Sequence, residues 1–455
     1  HWLSKDSILY LMLRNKWRSI QREQLAKNTA IQDPLAKAKK TKSTKIVKSS
    51  ISRRQFTAGV AAVGAAASVG PWYIKNARAA NPLKVGVLLP RSGGQAQIGI
   101  DCQRGADAAL PILKDLGYPE LKFMLADFET KVDVARTQTA KLIDEGAQII
   151  VGAFDSGATM AAAQVCEQRN IPLVVNIAAV PKLTGMGLQW VFRNFPHGPM
   201  IVKDAFINQK ALFKMTGHTP KTVTLMHVND TFGSSLAGAL FKLAPKFKMP
   251  YKIVEKISYD PYGRDLSAEV RKAKASGGEA LWVVSRLNDA IMMTKEMVKQ
   301  RFEPMGIMST GPGWYDQEYM KATGKFGDDV VSLVPWHDSN KPLSKTLEAY
   351  FAKHHPDRQV NPNHTYIFEG IMIAADAYKR AGSTNAKTLQ AALRTTNITN
   401  NVTTAERIAF EPNGQNKYVK NSAVQNRGGK NLVILPQSAA VAKPIWPMRG
   451  WKKRG

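Results

Sequence analysis

The 455-residue chain carries 64 Lys and Arg against 35 Asp and Glu, a formal charge of +29, with 44% hydrophobic and 22% charged residues. That is globular composition, long enough for two or three cores, and two cysteines exclude a disulfide-dense scaffold or a four-cysteine zinc site. The charge points first to nucleic acid or an anionic membrane, but it is uneven: residues 1–80 hold 16 Lys and Arg and 3 Asp and Glu, nearly half of the excess.

The first eighty residues read as a basic leader followed by an export signal. Ser52-Arg53-Arg54-Gln55-Phe56 precedes a Gly/Ala/Val stretch over 58–69, and Ala77-Arg78-Ala79 is a small-x-small cleavage pattern. The apolar stretch is weakly hydrophobic and broken by Gly59, Gly64 and Gly70. With the arginine pair it resembles a twin-arginine (Tat) signal, which implies the Tat export machinery as a partner. A membrane anchor is disfavoured, because the stretch falls short of about 20 apolar residues. Residues 1–50 fit no part of such a signal and are read as a long basic leader or an over-extended start.

From residue 81 apolar runs too short for helices recur at 84–90, 121–128, 147–154 and 172–179. A second series follows at 222–229, 251–258, 280–285, 305–309 and 330–336. Several are near-continuous Val, Ile and Leu, as strands buried on both faces of a parallel sheet require. Helical spacing lies between them, over 99–116, 132–145, 158–169, 234–246, 265–275, 288–301, 343–354 and 365–380. The series pauses over 181–221 and restarts, so the expected fold class is α/β with two doubly wound, Rossmann-like lobes. Ligands of such sheets bind past the carboxyl ends of the strands, which directs attention to the residues after each run.

Those residues carry a resemblance. Leu88-Leu89-Pro90-Arg91-Ser92-Gly93, then Gly105-Ala106-Asp107-Ala108-Ala109, resembles the opening of type I periplasmic solute-binding proteins of the branched-chain amino-acid (leucine-binding) group, which serve ABC importers. Asp127, Val151-Gly152-Ala153-Phe154-Asp155-Ser156-Gly157-Ala158-Thr159, Pro181-Lys182-Leu183-Thr184, Val191-Phe192-Arg193 and Asp230-Thr231-Phe232-Gly233 continue the pattern in order. The resemblance spans nearly all of 82–440. It implies two lobes joined by a three-segment hinge, with 81–198 plus 335–409 in the first and 199–334 plus 410–455 in the second, and a ligand held between them.

Carried over by position, Ser156 matches a serine that holds the ligand carboxylate; a plain helix N-cap is the other reading of the same residue. Ala178 matches a backbone contact, Ala179 stands where the group has a threonine, and Phe232 replaces a tyrosine, keeping an apolar wall without the phenol. Phe368 matches a further aromatic, with core packing as its alternative. No acid stands where the group binds the ammonium; Asp316 comes a few residues late. Trp314 and Tyr315 suit a flat apolar body, and Arg286, after the seventh run, can pair an acid. The disulfide of some relatives is missing, Asp155 occupying one of its positions; Cys102 and Cys166 fall on successive expected first-lobe helices and are read as packed thiols, with a bridge between them, needing Cα atoms within about 7 Å, as the alternative.

No metal-ligand spacing, nucleophile elbow or phosphate loop occurs, so no catalysis, metal or cofactor is expected. Lysines such as Lys272, Lys274, Lys295 and Lys299 are dispersed over helix faces, which argues against nucleic acid. The expected protein is a periplasmic, monomeric substrate-binding protein. It takes a small amino-acid-like or carboxylate solute, an aromatic one included, and delivers it to ABC permease and ATPase subunits. A ligand sensor coupled to a receptor would carry the same lobes.

Overall fold

The computed structural model describes residues 81–454; the expected leader and Tat signal lie outside them. Among the described residues twelve strands form two sheets. The first has the order β2-β1-β3-β4-β5, from β1 (Leu83–Leu89), β2 (Leu121–Asp127), β3 (Ile149–Gly152), β4 (Leu173–Val175) and β5 (Val191–Arg193), all parallel. In the second, β6 (Thr222–Val228), β7 (Lys252–Tyr259), β8 (Ala280–Val284), β9 (Ile307–Ser309) and β10 (Val331–Pro335) repeat that order as β7-β6-β8-β9-β10. There β11 (Asn421–Arg427) and β12 (Lys430–Leu435) extend the far edge antiparallel. Each sheet is thus doubly wound, with a switch point beside its first strand: between β1 and β3, and between β6 and β8.

Burial follows position in the sheet. Strands β3, β4, β8, β9 and β10 are buried at every residue, whereas edge strand β7 alternates exposed and covered residues. The first sheet carries α2 (Val132–Asp144), α3 (Ser156–Arg169) and the short α4 (Lys182–Gly185), with α1 (Ala96–Asp115) on its other face. The second carries α5 (Gly198–Thr216) and α6 (Thr231–Leu243) on one face. Its other face is covered by α7 (Ser267–Ala275), α8 (Leu287–Lys299) and α9 (Gln317–Thr323). The chain then returns to the first lobe with α10 (Pro342–His354), α11 (Pro362–Ala381) and α12 (Ala386–Arg394). Gly105 lets α1 cross α11 closely: a Cβ there would stand 2.2 Å from the His364 carbonyl oxygen.

The nine expected strands are present. The pause at 181–221 is not a structural gap, however: it contains β5 and the 19-residue α5. Helix α5 buries Ile201, Val202, Ala205, Phe206, Leu212 and Phe213 at helical spacing, and Gly217 ends it in the left-handed region at φ 71°. Those signals were readable in the sequence. Strand β11, rich in Asn and Gln, was not, whereas β12 carries Leu432-Val433-Ile434-Leu435, an apolar run like those of the expected strands.

Three segments join the lobes: 194–197, 336–341 and 395–420. They are stitched to one another. Fully buried Glu369 on α11 accepts from the N–H groups of Val402 (3.0 Å) and Thr403 (2.9 Å) and from Asn194 Nδ2 (2.5 Å). Lys341 Nζ donates to Asn401 Oδ1 (2.6 Å) and to the carbonyls of Thr403 (2.6 Å) and Ala405 (2.7 Å). Cys102 and Cys166 are free and buried, as packed thiols. No described helix is long and apolar enough to cross a membrane.

Candidate functional site

Between the two sheets, at the carboxyl ends of their strands, lies a narrow cavity of about 40 Å³. Its first-lobe wall is Phe154, Asp155 and Ser156 after β3, and Ile177, Ala178 and Ala179 after β4. Phe195 comes from the first connecting segment, and Pro362 from the start of α11. The second lobe contributes Phe232 after β6, Arg286 after β8, and Thr310 to Pro312 and Tyr315 after β9, with Ile201, Val334 and Pro335. A mostly apolar cleft with few polar groups is the usual form of a small-molecule site.

The polar groups are built on helix starts. Asp155, rather than Ser156, is the N-cap of α3: its Oδ1 accepts from the N–H groups of Gly157 (2.9 Å) and Ala158 (3.0 Å). A carboxylate meets the free amides and the dipole of a helix start well, which leaves the neighbouring hydroxyl for other work. Ser156 Oγ accepts the Ala179 N–H at 3.2 Å, so its own proton remains to be donated. Asp230 caps α6 in the same way, accepting from Gly233 N–H at 2.8 Å.

The free oxygens of these two caps meet one cation. Arg286 Nη2 lies 2.6 Å from Asp155 Oδ2 in the first lobe, and Nη1 lies 2.5 Å from Asp230 Oδ2 in the second. Its guanidinium carbon also stands 5.0 Å from the centre of the Phe232 ring. Burial works against this charge, but Asp155 and Asp230 outweigh it and raise the Arg286 pKa. The ion pair spans the cleft, as does a 3.2 Å bond from Asn288 Nδ2 to the Gly94 carbonyl. The lobes are in contact at the mouth.

Five of the residues singled out from sequence therefore surround one cavity: Ser156, Ala178, Ala179, Phe232 and Arg286. Trp314 and Phe368 do not. Trp314 is fully buried in the second-lobe core, its ring 5.2 Å from Tyr319 and its Nε1 donating to Ser285 Oγ at 2.6 Å. The next residue, Tyr315, faces the cavity instead. Phe368 is fully buried in the core that α11 shares with the first sheet. Asp316 is the N-cap of α9, accepting from Glu318 N–H at 2.8 Å, and does not line the cavity. Phe154, Phe195 and Asp155 carry no sequence signal that separates them from core and cap residues. Among the described residues no group of His, Cys, Asp and Glu is arranged to hold a metal.

A family model for periplasmic binding proteins matches residues 82–425. The chain belongs to the periplasmic binding protein family. Among similar curated proteins, a Leu/Ile/Val-binding protein homolog of Brucella abortus (homolog 8) is 25% identical over 375 residues, 79% of this chain and 92% of that one. Two solved structures share the fold. The isoleucine complex of a branched-chain amino-acid transporter substrate-binding protein from Streptococcus pneumoniae has a TM-score of 0.65 at 18% identity. It covers 80% of this chain and all of that one. The benzoate complex of an ABC-transporter solute-binding protein from R. palustris has a TM-score of 0.67 at 18% identity, covering 80% and 98%. A role in binding a small substrate follows from the family.

Proposed function

We propose that this protein is the periplasmic substrate-binding component of an ABC importer. It closes its two lobes around a small carboxylate with an apolar, ring-sized body and delivers it to permease and ATPase subunits. The resemblance implies lobes of 81–198 plus 335–409 and 199–334 plus 410–455; in this reading the chain crosses between them at 194–197, 336–341 and 395–420. The protein works as a monomer and is exported by the Tat route.

One observation carries the ligand class. Both carboxylates at the cleft, Asp155 and Asp230, are engaged by Arg286, while the Ser156 hydroxyl at the helix start retains a proton to donate. A ligand ammonium in this closed site would find no free acid, and an unpaired buried charge is costly. A ligand carboxylate finds the Ser156 hydroxyl as a donor. Phe154, Phe195, Phe232 and Tyr315 provide the apolar walls. That the fold neighbours include an isoleucine and a benzoate complex supports a carboxylate-bearing ligand in general. The free-acid argument favours the second type.

A thermal-shift series with benzoate, isoleucine, leucine, benzamide and urea tests the proposal, since a ligand raises apparent stability by mass action. Stabilisation by benzoate and not by isoleucine is expected. A response confined to the amino acids would overturn the ligand class, and no response to any compound would count against the binding role.

A further inference from the structure

Arg193, at the end of β5, is fully buried, yet among the described residues no acid is paired with it. All three of its nitrogens donate to neutral acceptors. Nε donates to Gln415 Oε1 (2.8 Å), Nη1 to the carbonyls of Ala178 (3.1 Å) and Val180 (2.7 Å), and Nη2 to Thr184 Oγ1 (2.5 Å). Burial alone draws its pKa down to about 9, so it is charged at neutral pH. The other titratable group beside it, His197, is held neutral, its pKa lowered to about 4 by burial and by Arg193 itself. The fold therefore keeps one unneutralised cation immediately behind the Ala178–Ala179 wall of the cavity. A buried charge of this kind is expensive unless something compensates it.

The orientation of the groups between Arg193 and the cavity is consistent. In a trans peptide the carbonyl and the N–H point opposite ways. The Ala178 carbonyl points back to Arg193, and the Ala179 N–H of the same peptide points to Ser156 Oγ, at 3.2 Å. Each bond polarises the next. We propose that Arg193 is the cation that makes this cleft prefer an anionic ligand, acting through the Ala178–Ala179 peptide and the Ser156 hydroxyl. It is a specificity-determining residue that the ligand does not touch. The inference rests on the carboxylate ligand proposed above and names the source of that preference.

The test compares dissociation constants for benzoate and for benzamide, its uncharged counterpart, in wild type, Arg193→Gln, Arg193→Lys and Gln415→Glu. Gln415→Glu sets an acid against the same guanidinium and keeps its hydrogen-bond acceptor; it gives up the bonds that Nε2 donates to the Phe195 and Asn416 carbonyls, but the Arg193 charge compensates the new acid, so it is a second neutralised variant should Arg193→Gln not fold. Wild type and Arg193→Lys are expected to prefer benzoate by about tenfold or more, the size of a shielded charge effect across one peptide group. Arg193→Gln and Gln415→Glu are expected to bring the two ligands within about twofold. If the neutralised variants lose both ligands equally, or keep the benzoate preference, Arg193 is only a scaffold and the inference is overturned. If wild type binds no carboxylate, the ligand class itself is refuted and the inference goes with it.

Discussion

Replacing Arg286 by Gln removes the ion that joins the two lobes. In the closed protein Asp155 Oδ2 and Asp230 Oδ2 lie 2.6 and 2.5 Å from its guanidinium, and all three side chains are at most a quarter exposed. Two unit charges about 4 Å apart attract by about 4 kcal/mol at an effective dielectric of 20. Desolvation offsets part of this, and truncating one partner of such a pair costs about 2–5 kcal/mol in measured systems. Asp230 sits in the same lobe as Arg286, so its share affects the folded lobe whether the cleft is open or closed. Only the Asp155 share, together with the new Asp155–Asp230 repulsion, acts on closure. The expected weakening of benzoate binding is therefore about 2 kcal/mol, or about thirtyfold in Kd. Titration calorimetry measures it, and small-angle scattering of the unliganded protein should show a wider particle. A double-mutant cycle with Asp155→Asn should return a coupling of at least about 1 kcal/mol. A Kd within twofold of wild type together with an unchanged scattering profile would refute the clamp.

Ser156→Ala should weaken benzoate binding by about 1–3 kcal/mol by calorimetry, because a hydroxyl donating to a charged group is lost; an unchanged Kd removes Ser156 from the site. Gly105→Ala should destabilise the fold by about 1–3 kcal/mol in urea, the clash with the His364 carbonyl exceeding a helix-propensity gain of about 1 kcal/mol. Gly238→Ala on α6, where a Cβ meets nothing within 4 Å, should stabilise, and equal signs for the two would contradict the packing account. Burial and the neighbouring Asp101 push the Asp316 carboxyl up to about 7 from 3.8. The folded state thus holds a proton that the unfolded chain releases between about pH 4 and 7, and wild-type stability falls as pH rises through that window. Asp316→Asn keeps the cap oxygen and removes this slope, so its stability relative to wild type should climb by up to a few kcal/mol between pH 4 and 7. Parallel urea midpoints across that range would refute it.

The legible part of this protein was its periodicity. Short runs of Val, Ile and Leu bounded by turn residues, such as the one now seen as Ile149–Gly152, suit strands covered on both faces and are too short for helices. Their spacing with helical segments allows few arrangements besides doubly wound sheets. Helix α5 carried an equally clear apolar stripe and a glycine stop. It breaks the alternation of strand and helix because β5 is only three residues long and α5 follows the crossing between the lobes. Strand β12 carries Leu432-Val433-Ile434-Leu435, a run like the others, but β11 was illegible for a physical reason: an antiparallel extension whose Asn and Gln side chains bond to neighbouring backbone does not need an apolar pattern. Asn426 Nδ2, for example, donates to the Trp314 carbonyl at 2.6 Å.

The cleft was only half legible, for a related reason. A side chain facing a closed cleft and one facing a core are both shielded from water, so both obey the same hydrophobic pattern. Trp314 and Tyr315 are adjacent aromatics, and only the path of the loop after β9 turns the first into the second-lobe core and the second toward the ligand. The sequence by itself determined the α/β class, the order of the strand runs and the helix starts at which polar groups gather, because local spacing dictates these. Tertiary structure alone decided which partners each charge meets. Arg286 finds Asp155 from 131 positions away, and Arg193 finds Gln415 from 222. Electrostatic partners depend on distance in space, and neither residue type nor local spacing encodes that.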